Sequence, residues 1–131
     1  MGKRFLIDTN IVSKYFQRLL SEEGRNLIRT LNDDAVFISV INRIELLGWN
    51  INDDDLEASI KNFVESVSEI PLDESIIVET IKIRKRVKIK LPDAIIAATA
   101  IVHGLTLLSD NDFDFLKVPR LKYLNPTKEE K

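Results

Sequence analysis

Carboxylates at four places along the chain are the side chains best suited to chemistry. Each follows or interrupts an apolar segment: Asp8 in FLIDTN, Glu45 in INRIELLGW, Asp93 in LPDAIIAATA, and Asp110, Asp112 and Asp114 in TLLSDNDFDF. A buried carboxylate without a partner is costly, so carboxylates in such surroundings usually share a cation or a hydrogen-bond network. If the segments converge, their oxygens form the kind of pocket that Mg²⁺ or Mn²⁺ prefers. The residues therefore predict an oxygen-lined metal site.

The composition restricts a metal to such a site. The chain has no cysteine and a single histidine, His103, so thiolate and histidine-rich zinc sites are excluded. His103 precedes Gly104 at the predicted end of a helix, where an imidazole suits the negative end of the helix dipole. We therefore expect His103 to be structural and any catalytic metal to be held by oxygen.

Short strands alternate with helices in the predicted secondary structure, which is the pattern of a parallel α/β sheet. Strands are predicted at 4–7, 35–39, 69–72, 105–108 and 121–124, and helices at 9–16, 21–31, 42–48, 53–67, 73–84 and 92–103. A chain of 131 residues is long enough for one compact domain with a real core. We expect a single domain over residues 1–125 and a polar C-terminal tail at 126–131.

The predicted elements bring most of the acidic residues to one edge of the sheet. In open parallel α/β sheets, ligands collect beyond the carboxyl ends of the strands. Asp8 directly follows the first strand, and the cluster at 110–114 follows the 105–108 strand. Asp93 reaches the same edge from the first turn of its helix, where backbone N–H groups and the helix dipole favour an anion.

Glu45 is expected to face the core from the 42–48 helix. Ile41, Ile44 and Trp49 lie on the same helical face at the appropriate spacing. The functional interpretation is a ligand for a metal or a water. The alternative is a side chain at the edge of the apolar face that reaches solvent or pairs with Arg43.

Six cations in nine residues precede the Asp93 segment: Lys82, Arg84, Lys85, Arg86, Lys88 and Lys90. A net charge of −2 weighs mildly against nucleic-acid binding, since Lys and Arg normally supply the phosphate contacts. Taken alone, the run is typical of a solvated helix face. Beside a metal site, the same run is suited to bind the phosphates of a nucleic acid. Together the two features favour a metal-dependent nuclease.

Neither a membrane segment nor a secretory signal is predicted. The longest apolar stretch, residues 94–108, is interrupted by His103 and Gly104 and is shorter than the roughly 20 residues that span a bilayer. The segment MGKRFLID reaches an acidic residue before any apolar signal region. We expect a cytoplasmic protein.

Four segments in this order resemble the PIN-domain family. They are DTN at 8–10, SVINRIELLG around Glu45, LPDAIIAATA around Asp93, and HGLTLLSDNDFDF followed by VPRLKYLNP. Each motif is weak alone, but the resemblance covers nearly the whole chain and is closest to the toxin ribonucleases of VapBC-type toxin–antitoxin pairs. It implies a three-layer α/β/α sandwich with a central, mostly parallel sheet. It also implies a Mg²⁺ or Mn²⁺ site and endonucleolytic cleavage of RNA by metal-activated water.

The resemblance assigns the first three catalytic and metal-binding positions to Asp8, Glu45 and Asp93. Two registers are open for the fourth. The family pattern Thr-x-Asn-x-x-Asp-Phe fits Ser109, Asn111, Asp114 and Phe115, whereas Asp-x-Asp-Phe fits Asp110, Asp112 and Phe113. The downstream VPRLKYLN agrees with the first register, so Asp114 is preferred and Asp112 is second. The supporting positions are Asp110, Asn111, Ser109 and Asn10.

The resemblance also implies partners. These are an RNA substrate, a VapB-like antitoxin whose peptide covers the acidic pocket, and a second copy of the chain in a homodimer. Two alternatives stay open: a non-catalytic module that binds RNA or protein, and another Mg²⁺-dependent phosphoesterase. Against the second alternative, the chain has no GxxxxGK[ST] phosphate-binding loop.

Overall fold

The computed structural model describes residues 3–128 and contains one parallel sheet between two helical layers. A short 3-10 turn, Asp33–Ala35, precedes the second strand. In chain order the elements are β1 (Phe5–Ile7), α1 (Thr9–Phe16), α2 (Glu22–Arg29), β2 (Val36–Ser39), α3 (Val40–Leu47), α4 (Asp54–Ser66), β3 (Ser68–Ile70), α5 (Glu74–Arg86), α6 (Leu91–His103), β4 (Thr106–Leu108), α7 (Asp112–Phe115) and β5 (Lys122–Leu124).

The five strands lie in the order β3-β2-β1-β4-β5, and every adjacent pair is parallel. β1 occupies the centre, and the chain extends the sheet outward from it on both sides. Such a reversal of strand order opens a crevice at the carboxyl ends of the strands. The backbone N–H of Asp8 donates to the carbonyl of Leu108 at 2.9 Å, which keeps the ends of β1 and β4 together.

Two hydrophobic cores lie on opposite faces of the sheet, because successive side chains of a strand point to opposite faces. Leu6 joins the core formed with α5 and α6. Phe5 and Ile7 join the core that contains residues of α1, α3 and α4. The predicted three-layer α/β/α sandwich is therefore confirmed.

The small side chains of α6 explain how Asp93 approaches the sheet. Ala94, Ala97, Ala98 and Ala100 are completely buried, so the helix packs closely in the interior. Pro92 lies in the first turn, where a missing N–H is harmless. The helix ends at Gly104, whose φ of 65° is the left-handed conformation that glycine adopts readily.

The predicted strands and long helices are all present, with ends that differ by one or two residues in most cases. Neither α7 nor the 3-10 turn was predicted from the sequence pattern. α7 contains the four residues DFDF, too few for a helical period to be recognised. Its N-cap is Asn111, whose side-chain oxygen accepts from the backbone N–H of Asp114 at 3.3 Å.

Part of the predicted tail contacts the body of the domain. Pro126 is buried, and its carbonyl oxygen lies against Gly24 of α2. Residues 129–131 lie outside the described residues. Between residues 3 and 128, the longest helices have 13 residues, and none is long and apolar enough to cross a membrane.

Candidate active site

Asp8 lies at the centre of the acidic edge, between the end of β1 and the start of α1. Its carboxylate is 5% exposed. It accepts hydrogen bonds from the backbone N–H of Thr9 at 2.9 Å and from the hydroxyl of Ser109 at 2.8 Å. The pKa of Asp8 is raised to about 6: burial is the main cause, the nearby carboxylates of Asp93 and Glu45 act in the same direction, and the two hydrogen bonds oppose them. Asp8 is thus a buried acid whose charge the fold only partly compensates.

A chain of polar side chains connects Asp8 to α3. The Asn42 side-chain amide donates to Thr9 Oγ1 at 3.1 Å and to Asp8 Oδ1 at 3.4 Å. Thr9 Oγ1 in turn donates to Glu45 Oε1 at 2.6 Å. Asn42 is completely buried and forms a capping box with Ser39, which fixes its position at the start of α3. Asn42 and Thr9 therefore orient two of the four predicted acidic residues.

The predicted orientation of Glu45 toward the core is wrong. Glu45 is exposed, and so is Ile44, at 61%. The buried residues of α3 are Asn42 and Leu46, so the inward face of this short helix is rotated from the one that the apolar residues suggested. Glu45 nevertheless comes to the acidic edge, because it lies one turn after Asn42 and reaches Thr9.

Asp93 and Asp114 complete the acidic group from α6 and α7. Burial raises the pKa of Asp93 above its ordinary value, and the neighbouring carboxylates of Asp114 and Glu45 raise it further. Asp114 accepts from the side-chain amide of Asn111 at 3.0 Å, and Lys117 Nζ lies 3.6 Å from its other oxygen. The electrostatic influence of these carboxylates on each other indicates that Asp8, Glu45, Asp93 and Asp114 face a common space.

Asp110 and Asp112 have other partners. Asp110 pairs with Lys14 of α1. Asp112 pairs with Lys128 and accepts from the hydroxyl of Tyr123 and the amide of Asn125, and these contacts lower its pKa. The Asp112 carboxylate is thus occupied by contacts with the C-terminal segment. Of the three aspartates at 110–114, Asp114 is the one that faces Asp93.

The supporting positions differ in their contacts. Ser109 is completely buried and bridges Asp8 to α7, since its oxygen also accepts from the backbone N–H of Asn111 at 3.1 Å. Asn111 contacts Asp114, as described above. Asn10 is exposed, and within residues 3–128 its side chain makes no hydrogen bond to the acidic group.

Asn42 is a polar residue of the site that was not predicted from the sequence. It lies three residues before Glu45, a spacing that puts both on one helical face, and this spacing is the signal that could have identified it.

The donor set of this edge suits a hard divalent cation. Four carboxylates and the hydroxyl oxygen of Thr9 are the ligand types that Mg²⁺ and Mn²⁺ prefer, whereas the side-chain oxygen of Asn42 already accepts from the backbone N–H of Ser39. Burial, together with the neighbouring carboxylates, raises the pKa values of Asp8 and Asp93, and a bound cation would favour their ionised forms. In the described part of the chain, no three carboxylate or imidazole groups are already close enough to hold one ion. The residues therefore fit a metal chemically without forming a closed cage.

Comparison with known families agrees with the geometry. The family model of the PIN domain matches residues 5–121, so this chain belongs to the PIN-domain family. The predicted family is confirmed. A search of curated proteins finds no match.

Solved structures with the same fold come from several bacteria. A chain of a toxin-antitoxin complex from Klebsiella pneumoniae is 29% identical, with a TM-score of 0.74 over 92% of this chain and 96% of that chain. FitAcB from Neisseria gonorrhoeae is 23% identical, with a TM-score of 0.80 over 93% and 97%. A chain of VapBC2 from Rickettsia felis, a structure bound to a DNA fragment from the VapBC2 promoter, is 21% identical, with a TM-score of 0.76 over 92% of this chain and 97% of that chain. The chain therefore spans nearly the full length of the chains that it matches.

Proposed function

We propose that this PIN-domain protein is a metal-dependent endoribonuclease that cleaves RNA. The observation that carries the proposal is the convergence of Asp8, Glu45, Asp93 and Asp114 from four different elements on one edge of the sheet. Asp8 and Asp93 lie where ionisation is unfavourable, which costs free energy. A purely structural role does not explain this cost. A site that binds a cation and a phosphodiester explains it.

In this proposal the four carboxylates hold Mg²⁺ or Mn²⁺. When bound, the ion supplies charge that ionises the carboxylates, acidifies water and stabilises the negative charge that develops on the phosphodiester. The reaction is an in-line displacement: the oxygen of a water forms a bond to phosphorus as the water loses a proton to solvent, the bond from phosphorus to the 3′ oxygen breaks, and the leaving 3′ oxygen takes up a proton from solvent to become a hydroxyl. No protein side chain is required as a nucleophile.

The roles of the other side chains follow from their hydrogen bonds. The Thr9 N–H and the Ser109 hydroxyl hold both oxygens of Asp8 in place, so its orientation is fixed before a ligand arrives. The Thr9 hydroxyl holds Glu45, which would otherwise move freely at the surface. Thr9, Asn42 and Ser109 are thus positioning residues.

The biological role proposed here is that of the toxin in a VapBC-type pair, acting in the cytoplasm as a homodimer with a VapB-like antitoxin. The Klebsiella chain, at 29% identity over nearly the full length, comes from a toxin-antitoxin complex and supports this role. An acidic pocket also gives an antitoxin arginine a complementary site. Co-expression with the product of a neighbouring small gene, followed by measurement of the mass of the complex, tests both partners.

The enzymatic proposal is tested by incubating cellular RNA with the purified protein in Mg²⁺, Mn²⁺ or EDTA. Asp8→Asn, Asp93→Asn and Asp114→Asn are expected to lower the cleavage rate by about 100-fold or more, because each removes charge from the centre of the site. Asp112→Asn is the matched control, since its carboxylate pairs with Lys128 rather than with the acidic group.

Circular dichroism of every variant would verify folding. Metal-dependent cleavage that survives in Asp112→Asn and is lost in the other three variants supports the proposal and the choice of Asp114. RNA binding without cleavage in any metal would instead support the non-catalytic module.

A further inference from the structure

Phe113 is an aromatic side chain at the surface beside the acidic group. It lies between Asp112 and Asp114 on α7 and is 78% exposed. The other phenylalanine of the DFDF segment, Phe115, is 1% exposed and packs in the core. Phe115 therefore accounts for the packing of α7, and the core gains nothing from Phe113. A large aromatic side chain this exposed is available for a stacking contact with a ligand.

The ring of Phe113 is carried on a segment that is fixed on all sides. Phe115 anchors α7 below, Asn111 caps its start, and Asp112 accepts hydrogen bonds from Tyr123 and Asn125. The backbone of Phe113 thus occupies a defined position next to Asp114, and the ring contacts Lys117. A rigid aromatic surface loses little conformational entropy when a ligand stacks on it.

Lys117 connects Phe113 to the basic run. Its ammonium group lies 4.0 Å from the centroid of the Phe113 ring and donates to the carbonyl of Lys88 at 3.2 Å. The connection after α7 is thereby joined to the α5–α6 connection, which carries Lys88 and Lys90. Aromatic and cationic groups therefore lie together at the border of the acidic site.

The connection after α7 also forms one wall of a basic cleft of about 450 Å³. Three cations line it, Lys82 and Arg86 from α5 and Arg120 from the α7–β5 connection. One carboxylate, Glu79, lies among them, and it is only 9% exposed and pairs with Arg120 at 3.0 Å. Arg120 has a φ of 68°, a conformation that is unfavourable for a non-glycine residue, so the ion pair is maintained at some conformational cost. The lining retains two positive charges in excess.

We propose that this surface binds the substrate strand beside the cleavage site, with one RNA base stacked on Phe113 and phosphates of the flanking nucleotides in the Lys82–Arg86–Arg120 cleft. Single-stranded RNA matches the combination, because an unpaired base offers a face for stacking and its backbone requires cations. A duplex keeps its bases stacked on each other and cannot use Phe113. The inference rests on the proposed ribonuclease function and extends it from the reaction to the substrate.

The test measures binding rather than cleavage, in EDTA, so that it does not depend on catalysis. The probe is a fluorescently labelled 12-nucleotide single-stranded RNA, measured by anisotropy at several salt concentrations. Phe113→Ala is expected to weaken binding about five- to hundredfold with no change in the salt dependence, since a stacking contact releases no counterions. Arg86→Ala is expected to reduce the slope of log K against log salt by about 0.7, the value for one phosphate contact on a single strand.

Matched controls come from the same chain. Leu116→Ala removes an apolar side chain of comparable exposure, 69% against 78%, that lies three residues from Phe113. Lys61→Ala removes an exposed cation from α4, a helix that packs on the opposite face of the sheet. Both variants are expected to bind the RNA like the wild type. A strand that carries 2-aminopurine adds a direct readout, because stacking on Phe113 should quench its fluorescence in the wild type and not in Phe113→Ala.

The outcomes separate this inference from the proposed function. If the wild type binds RNA and Phe113→Ala binds it equally well, the stacking surface is wrong while the ribonuclease proposal stands. If Phe113→Ala and Arg86→Ala lose a co-purified protein partner and keep their affinity for RNA, the surface is a protein interface and the inference is overturned. If the wild type does not bind single-stranded RNA at all, both the inference and the proposed substrate are contradicted.

Discussion

At the scale of single residues, the ionisation of Asp8 lowers the stability of the folded protein. The pKa of Asp8 is about 3.8 in the unfolded chain and about 6 in the folded protein. Below pH 3.8 the carboxyl group is protonated in both states, and its contribution to stability is fully present. As the pH rises through the folded pKa of about 6, this contribution is lost, because the folded protein resists ionisation of the group. The difference corresponds to roughly 3 kcal/mol at pH 7 for this buried group, as an order of magnitude. Residue 8 is thus kept at the expense of stability, which is typical of functional sites.

Asp8→Asn is therefore expected to stabilise the protein in EDTA. At pH 7 to 8 the gain should be about 1–3 kcal/mol, reduced from the full cost because the amide cannot accept both existing hydrogen bonds. The gain should decline below pH 6 and vanish below pH 4. Urea denaturation at a series of pH values measures it.

Asp112→Asn is the contrasting variant in the same experiment. Contacts with Lys128 and Tyr123 lower the pKa of Asp112, so its ionised form stabilises the fold at neutral pH and the contribution is lost as the pH falls below the unfolded pKa. This variant should be less stable than the wild type at pH 7. Equal losses in both variants at pH 7 would mean that Asp8 is not held in an unfavourable ionised state.

The sequence predicted individual site residues unequally. Asp8 follows a strand of three apolar residues, so its burial could be inferred from its position alone. Glu45 could not be oriented in this way, because α3 exposes Ile44 and Leu47 and buries the polar Asn42. The preference for Asp114 over Asp112 came from the family register, and the contacts of Asp112 with Tyr123, Asn125 and Lys128 give a physical reason for it that only the fold shows.

At the scale of elements, close packing of α2 depends on a glycine. A Cβ added to Gly24 would lie 2.4 Å from the carbonyl oxygen of Pro126, closer than the two atoms can approach. The C-terminal segment therefore packs on α2 because residue 24 has no side chain. This segment also carries Lys128, which pairs with Asp112 at the base of α7.

Gly24→Ala is expected to destabilise the protein by about 1–3 kcal/mol, because the backbone of the C-terminal segment must move. The loss should exceed the gain of about 1 kcal/mol that alanine normally brings to a helix interior. Asn26→Ala, at an exposed position of the same helix, is the control and should be neutral or slightly stabilising. Thermal melts compare the three proteins. A higher melting temperature for Gly24→Ala would contradict the packing described here.

Elements with a repeated pattern were predictable, and those fixed by contacts were not. The strands and the long helices have apolar periods and recognisable ends, such as the Ser21, Asp53 and Asp73 N-caps, each of which accepts a backbone hydrogen bond. α7 has no period of its own. It forms because Asn111 caps it and Phe115 anchors it in the core.

At the scale of the whole molecule, charge is segregated in a way that the net charge of −2 conceals. Carboxylates gather at the centre of the carboxyl edge of the sheet, and cations gather at the end of α5 and in the two neighbouring connections. A phosphodiester strand suits such a surface, since cations hold its backbone and the acidic group holds the metal. The sequence predicted both groups of charges and the position of the cationic run beside Asp93, whereas the contributions of Lys117 and Arg120 to the cationic surface required the fold.

The most direct test of the account identifies the ends of the RNA fragments that the wild-type protein produces in Mg²⁺. Attack by water with departure of the 3′ oxygen predicts fragments that begin with a 5′-phosphate and end with a 3′-hydroxyl, and their disappearance in EDTA and in Asp93→Asn. Fragments that begin with a 5′-hydroxyl and end with a cyclic phosphate would mean that the 2′-hydroxyl is the nucleophile. That result, or cleavage that persists in Asp93→Asn, would contradict a metal-dependent hydrolysis at the acidic group.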